Sequence, residues 1–424
     1  MARQMKDSGI PYLGPVPTSW DVQKLRYSVK WKSEKGYPDA EVLALYRDYG
    51  VIPKSSRDDN HNVTSLDTST YKYVETGDFV INKMKAWQGS MGVSSYSGII
   101  SPAYHVCSIT NDDIHRPYFH YLLRNVAYLP EFARLSTGLR IGQWDLSFDD
   151  FRNLPFLLPD KSEQERIANL LDTKCADIDK VIEQTCATIE EYKKLKQAII
   201  TEAVTKGVRG PRSMKPSGVE WIGDIPEEWR VCKLKKVITF INGYAFDSSA
   251  LSSDGDIWVI RIGDLKNGLV LYESALKSHY SSELDRFRIL DGDILIAMSG
   301  ATVGKIAIVQ NLPVCACINQ RVGIIRTNIN GFIKYILMST GFGRLISLLS
   351  EGTAQPNIST ENIKDFVICL PDSLEQQEIS SYLDTKCSEI DRIIEKKEQL
   401  IEELGSYRKS LIYEYVTGKK EVTA

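Results

Sequence analysis

"EQERIANLLDTKCADID" (residues 163–179) and "EQQEISSYLDTKCSEID" (375–391) agree at ten of seventeen positions, with "LDTKC" intact in both. The copies stand 212 residues apart in a chain of 424. A repeat at that distance sets the architecture, because what one copy folds into the other must fold into as well.

Working outward, further matches keep the same order. "SGIPYLGPVPTSWDVQKL" (8–25) aligns with "SGVEWIGDIPEEWRVCKL" (217–234) at eight of eighteen positions. "LSFDDFRNLPFLLPD" (146–160) answers "ISTENIKDFVICLPD" (358–372), and "GDFVI" (77–81) answers "GDILI" (292–296). The chain is a tandem duplication: opening motif, mixed body, long helix, then the same again. Residues 27–76 find no sequence counterpart in 236–291. The scaffold is shared and the middle has diverged, as expected of two bodies that hold different ligands or two versions of one.

Each half ends in a strong helix signal. Ser162 with Glu165, and Ser373 with Gln376, have the spacing of capping boxes. An "LPD" stop precedes each, and Gly207 and Gly418 are natural ends. Ile390, Ile393, Lys397, Leu400, Leu404, Tyr407 and Leu411 repeat at heptad spacing. So do Ile178, Val181, Thr185, Thr188, Tyr192, Leu195 and Ile199, a more polar seam. About 44 residues at ~1.5 Å each make rods of roughly 65 Å. The expectation is that the rods pair antiparallel, with Leu171 and Leu383 facing a core and Cys175 and Cys387 buried where rod meets body.

Charged residues make up 25% and the apolar set 43% of the chain, the composition of a globular protein. The beginning, "MARQMKDSGIPYLG", has no apolar leader segment, and no apolar run approaches the ~18 residues of a membrane span. A reduced, cytoplasmic protein is expected, since the eight cysteines lack a CxxC pair or a histidine partner at metal spacing. The rods sum to −5, so with −3 overall the remainder carries +2. The excess acid sits on the rods and not on the bodies.

Both bodies read as mixed α/β, with short apolar strands after Gly-Asp turns and one helix each near 117–135 and 331–349. Polar, aromatic and basic residues collect in the loops. The first body offers Lys83, Lys85, Trp87 and Gln88, then Arg140 and Gln143. The second offers Arg261, Lys266, Ser299, Thr302, Lys305, Asn319, Gln320, Arg321, Gln355 and Asn357. Arginine on guanine, and asparagine or glutamine on adenine, are the pairs that read base edges. Lysine, serine and threonine hold phosphates. These residues are candidates for contact with DNA.

Catalytic signals are missing. "SGATVGK" (299–305) begins with Ser299 where a phosphate loop needs glycine, and Ile306 follows Lys305 where it needs a hydroxyl. There is no G-x-S-x-G, no H-E-x-x-H, and no N-P-P-Y or D-P-P-Y tetrapeptide of the adenine methyltransferases.

The chain resembles the specificity subunits of type I restriction–modification systems. The resemblance covers nearly its whole length. It rests on the duplicated P-x-x-W-x-x-x-x-L openings (17–25 and 226–234), the GD-x-x-I strands, and the "LP…EQ-x-x-I…LD-x-K…ID" passages entering each long helix. It implies an α/β (α+β) architecture: two target recognition domains joined by two long antiparallel coiled-coil helices, a pseudo-two-fold tandem repeat. The expected divisions are a first recognition domain at 1–160, a first helical spacer at 161–206, a second recognition domain at 207–372, and a second spacer with tail at 373–424. It further implies a partner list of double-stranded DNA, two modification subunits and the restriction subunits, with no membrane. S-adenosylmethionine, ATP and Mg would sit on those partners and no cofactor on this chain. Two other classes stay open at this stage: a coiled-coil adaptor whose bodies bind protein, and a nucleotide-using enzyme. Salt-dependent DNA binding and an ATPase assay, respectively, separate them from the reader.

Overall fold

The computed structural model describes residues 3–47, 49–57, 67–138, 144–247, 249, 251–313, 315–351 and 356–422. They form two compact units, Met1–Thr185 with Glu398–Ala424, and Cys186–Lys397. Each unit combines one body, the first part of the helix that follows it, and the last part of the other repeat's helix.

In the first unit, β1 (Asp21–Lys24), β2 (Val29–Lys32), β3 (Phe79–Asn82), β4 (Met91–Val93) and β5 (Tyr104–Ile109) lead to α1 (Arg116–Arg124) and α2 (Leu129–Leu135). Then come α3 (Phe148–Arg152), β6 (Pro155–Leu158) and the long α4 (Lys161–Lys206). An antiparallel sheet runs β2-β5-β3-β4, while β1 pairs with β6. The second unit repeats this with β7 (Arg230–Lys233), β8 (Thr239–Asn242), β9 (Ile294–Ala297), β10 (Ile306–Ile308) and β11 (Val322–Arg326). Next follow α5 (Asn330–Leu337), α6 (Thr340–Ser350), α7 (Thr360–Lys364), β12 (Val367–Leu370) and the long α8 (Ser373–Val416). Its sheet begins β8-β11-β9-β10, the same order, and adds two short strands, Leu269–Val270 and Leu265–Lys266.

Register extends the repeat into the region where the sequences show no match. Phe79 stands opposite Cys107, which stands opposite Trp31. Ile294 stands opposite Ile325, which stands opposite Phe240. Since β3 and β9 are the matched "GDFVI" and "GDILI" strands, β2 and β8 are equivalent although they share no sequence pattern. The main-chain ladder to the neighbouring strand is enough to build the strand, and identity is not needed: β2 and β8 differ in burial as well as in sequence. The Gly-Asp turns are equivalent too. Asp78 and Asp293 are buried, and each accepts the backbone N–H three residues earlier, from Glu75 at 2.9 Å and Leu290 at 2.8 Å. A buried carboxylate needs a counter-charge. Lys32 on β2 supplies it in the first unit at 3.2 Å, and Arg326 on β11 in the second at 2.6 Å.

The opening motifs fasten bodies to rods. Trp20 and Trp229 are fully buried and donate to Glu163 and Glu375 in the first turns of α4 and α8. The aspartate of "LDTKC" does the same on the other side: Asp172 accepts from the Tyr121 hydroxyl at 2.7 Å, and Asp384 from that of Tyr335 at 2.8 Å. Leu171, Leu383, Cys175 and Cys387 are buried as expected.

The rods pair antiparallel. In the first unit, Ile167, Leu171 and Ile178 share a core with Leu411, Tyr415 and Val416, and Arg408 meets Asp179 at 3.3 Å. In the second, Ile200 and Val204 share a core with Ile379 and Leu383, while Lys196 meets Asp391 and Lys397 lies over the Tyr192 ring.

Three local expectations are corrected. The N-caps are Asp160 and Asp372, not Ser162 and Ser373: each aspartate accepts the amide three residues on, from Glu163 at 3.0 Å and Glu375 at 2.8 Å. Hydrogen bonds from Ser162 and Glu163 hold the Asp160 carboxyl below its ordinary range. The seam is shifted at alternate positions. Val181, Leu195, Ile393, Leu400 and Tyr407 are exposed; Ile182, Ile394, Ile401 and Arg408, next to four of them, are half-buried, and Ile189, next to Thr188, is buried. Finally, the helices expected at 117–135 and 331–349 are each broken in two. Asn125 ends α1 and its side chain accepts from Ala127 at 2.7 Å, and Ser339 caps α6. Among the described residues no single helix is long and apolar enough to cross a membrane.

Candidate nucleic-acid interface

In the second unit three separate segments are tied together by their main chains. The Ala297 amide donates to Lys305 O at 2.8 Å, closing the loop 298–304. The Met298 amide donates to Arg321 O at 2.8 Å, and Ile358 donates back to Met298 O at 2.9 Å. The Gly300 amide reaches Pro356 O at 2.9 Å. Backbone anchoring leaves the side chains free to face outward. Met298, Ser299, Gln320, Arg321 and Asn357 line a cavity of about 410 Å³. Gln320, Arg321 and Asn357 are exposed, and Arg321 makes no ion pair or side-chain hydrogen bond among the described residues. An unpaired guanidinium beside two carboxamides is a set of donors and acceptors suited to base edges.

The other candidates of this unit divide. Lys305 is exposed at the end of its loop and Asn319 adjoins Gln320 at the cavity. Thr302 has a buried hydroxyl without a hydrogen-bond partner. Arg261 is held by its own unit: Nε lies 3.5 Å from Asp264, and Nη2 donates to Ser274 O at 3.4 Å. Lys266 is exposed on the outermost strand of the sheet, apart from the cavity. Gln355 lies outside the described residues.

The first unit carries the same anchors. Asn82 donates to Ser90 O at 3.0 Å, and Leu146 to Lys83 O at 3.0 Å, matching the Ala297–Lys305 and Ile358–Met298 bonds. Gly89 and Gly304 occupy the same left-handed turn, with φ of 80° and 79°. Apart from Ala86/Ala301 and these glycines, the residues of the two loops differ. Lys83 is paired with Asp145 at 2.7 Å, at the place of Met298 and Asn357. Trp87 packs edge-on against Trp144 at 5.3 Å, with its buried Nε1 unpartnered. Lys85 is exposed and Gln88 half-buried. Arg140 and Gln143 lie outside the described residues. Asp145 was missed in the sequence, although it stands two residues after the candidate Gln143.

The duplicated scaffold presents different polar side chains on the same anchored loops of its two units. The chain belongs to the type I restriction modification DNA specificity domain family, whose model matches residues 20–191 and 226–403. It is 32% identical over 281 residues to the type I restriction enzyme MjaVIII specificity subunit of Methanocaldococcus jannaschii, covering 64% of this chain and 63% of that one, under two thirds of the relative's length. It is 24% identical over 430 residues to a second chain of the same organism, provisionally named the MjaX specificity subunit, with 97% and 96% covered. Its fold is similar to a chain solved in work on complex assembly and conformational transition of the type I R-M system: TM-score 0.72, 15% identity, 96% of this chain and 99% of that one.

Proposed function

We propose that the two bodies read the two halves of one bipartite duplex site for a type I restriction–modification complex. Residues 27–150 read one half and the second body reads the other. Two modification subunits carrying S-adenosylmethionine dock on the chain and methylate an adenine in each half-site. Restriction subunits bring ATP- and Mg-dependent translocation and cleavage. The chain contributes recognition and no catalytic group, and works in the cytoplasm.

The observation that carries this reading is the pair of equivalent loops, Lys83–Ser90 and Met298–Lys305. They have the same main-chain anchors and unlike side chains. A shared scaffold fixes where each loop meets the duplex, and the side chains decide which bases it accepts. Methylome sequencing of cells with and without the gene tests it. A bipartite motif that carries methyladenine in both halves and vanishes with the gene is expected. An unchanged methylome in cells that retain active modification subunits would contradict it.

A further inference from the structure

Trp31 on β2 is 57% exposed, an unusual state for the largest apolar side chain. Its equivalent, Phe240 on β8, is half-buried over Gly323, where a Cβ would collide with the phenyl ring. The first unit has His105 at the place of Gly323. The imidazole stands at 89° to the indole, 6.4 Å between centroids, and its Nε2 is 3.1 Å from Leu146 O. His105 fills the space into which Phe240 settles, so the indole stands out from the sheet. Phe148 supports it from α3 at 6.1 Å.

Lysines outnumber carboxylates beside the ring: Lys72 and Lys83 stand against Asp145. Lys72 is buried, its ammonium 5.8 Å from the Trp31 centroid and donating to Tyr104 O at 2.6 Å. No carboxylate pairs with it among the described residues. A buried ammonium with three donors and one carbonyl partner is costly until an anion arrives. Burial, then the charges of Lys83 and Lys35, lower the Lys72 pKa. Beside it, Lys83 reaches Asp145 through one oxygen, while Asp145 Oδ1 and His105 Nδ1 are buried without partners.

We propose that Trp31 is a DNA contact of the first body, its indole lying against a base edge while the Lys72 ammonium draws in the adjoining phosphate. This rests on the reading of each body as a half-site reader. It gives the first body an aromatic-led surface, where the second uses Gln320, Arg321 and Asn357. A duplex meets both needs of the patch: thymine methyl groups on the major-groove edge give the ring an apolar contact, and the phosphates give Lys72 a negative charge.

The test uses the full chain assembled with its modification subunits. The probes are duplexes carrying the motif methylated in cells that hold the gene, with either half-site intact or scrambled. Trp31→Ala should weaken binding to the intact site roughly ten- to a hundredfold. It should erase discrimination at one half-site, keep it at the other, and leave the melting temperature within a degree or two because the ring is exposed. Trp31→Phe should retain part of both. Lys72→Met should lower the salt slope by about one counterion without lowering the melting temperature. Wild-type affinity and wild-type discrimination in Trp31→Ala would overturn the proposal. So would weaker binding in Trp31→Ala and Lys72→Met that a lowered melting temperature fully accounts for, with discrimination at both half-sites unchanged. A wild-type complex that distinguishes neither half-site would overturn the underlying reading, and this inference with it.

Discussion

The indole Nε1 of Trp229 donates to the Glu375 carboxylate at 2.8 Å, and the side chain of that glutamate is fully buried. Arg212 pairs with the other carboxylate oxygen and lies over the same indole at 5.4 Å from its centroid. Trp20, Glu163 and Arg3 make the same arrangement in the first unit. The tryptophan of each opening motif therefore locks its body to the first turn of its rod. Glu375→Ala would leave the buried indole N–H without its acceptor, while Arg212 keeps Glu228 at 2.7 Å and Lys206 O at 2.9 Å. We expect a loss of about 1–3 kcal/mol, read as a lowered denaturant midpoint of the second unit. Trp229→Phe, which keeps the ring and removes one bond, should cost about 1–3 kcal/mol.

Seam phase has a direct test. Ile189 is 5% exposed and Leu195 is 48% exposed. Ile189→Ala should cost about 2–5 kcal/mol by leaving a cavity where the side chain is buried. Leu195→Ala should stay within about 0.5 kcal/mol. Chemical denaturation of both variants decides it, and equal losses would return Leu195 to the seam.

The duplication, both rods, their glycine ends and the Gly-Asp turns were legible in the sequence, because each depends on local spacing. The seam phase was not. Ile393-Ile394 and Leu400-Ile401 are adjacent apolar pairs, and period alone does not say which member faces the partner. The caps were misassigned for a similar reason: Asp160 and Ser162 both suit an N-terminus, and the choice is made by where the strand leaves the body. The candidate set in the second body was mostly legible as residue types, and Ser299, Gln320, Arg321 and Asn357 converge. Pairing within the unit was not legible. Arg261 is engaged by Asp264, and Lys83 by Asp145, contacts that need tertiary structure. Trp31 escaped notice because β2 has no sequence match in the other half.

Reading and holding should separate in the second body. Arg321→Ala should cost about 1–3 kcal/mol on the cognate site and relax preference at one position. Lys305→Ala should weaken all sequences alike and lower the salt slope by about one counterion. Binding to a panel of single-base variants checks both. A lowered melting temperature with an unchanged preference profile would remove Arg321 from the reading set.

Stability of the first unit should fall in mild acid. His120 Nδ1 accepts the Val93 amide at 3.2 Å, and burial, then the Arg124 charge, push its pKa down to about 3. The folded ring stays neutral, while the unfolded chain takes up a proton near pH 6.5. Its contribution is therefore complete above about pH 6.5 and is lost progressively as pH falls toward 3, by at most about 1.4 kcal/mol per pH unit. Burial lowers the His105 pKa with the same sign, so His120→Gln should reduce the slope of stability against pH without abolishing it. An unaltered slope in His120→Gln would show that this ring is not the source.

The most direct measurement is the methylome of a strain in which residues 27–150 are exchanged for the corresponding region of a relative with a different motif. The account predicts that one half of the methylated site changes to the relative's half-site while the other half stays as it was. A change in both halves, or in neither with the exchanged chain assembled and active, would contradict the assignment of one body to one half-site.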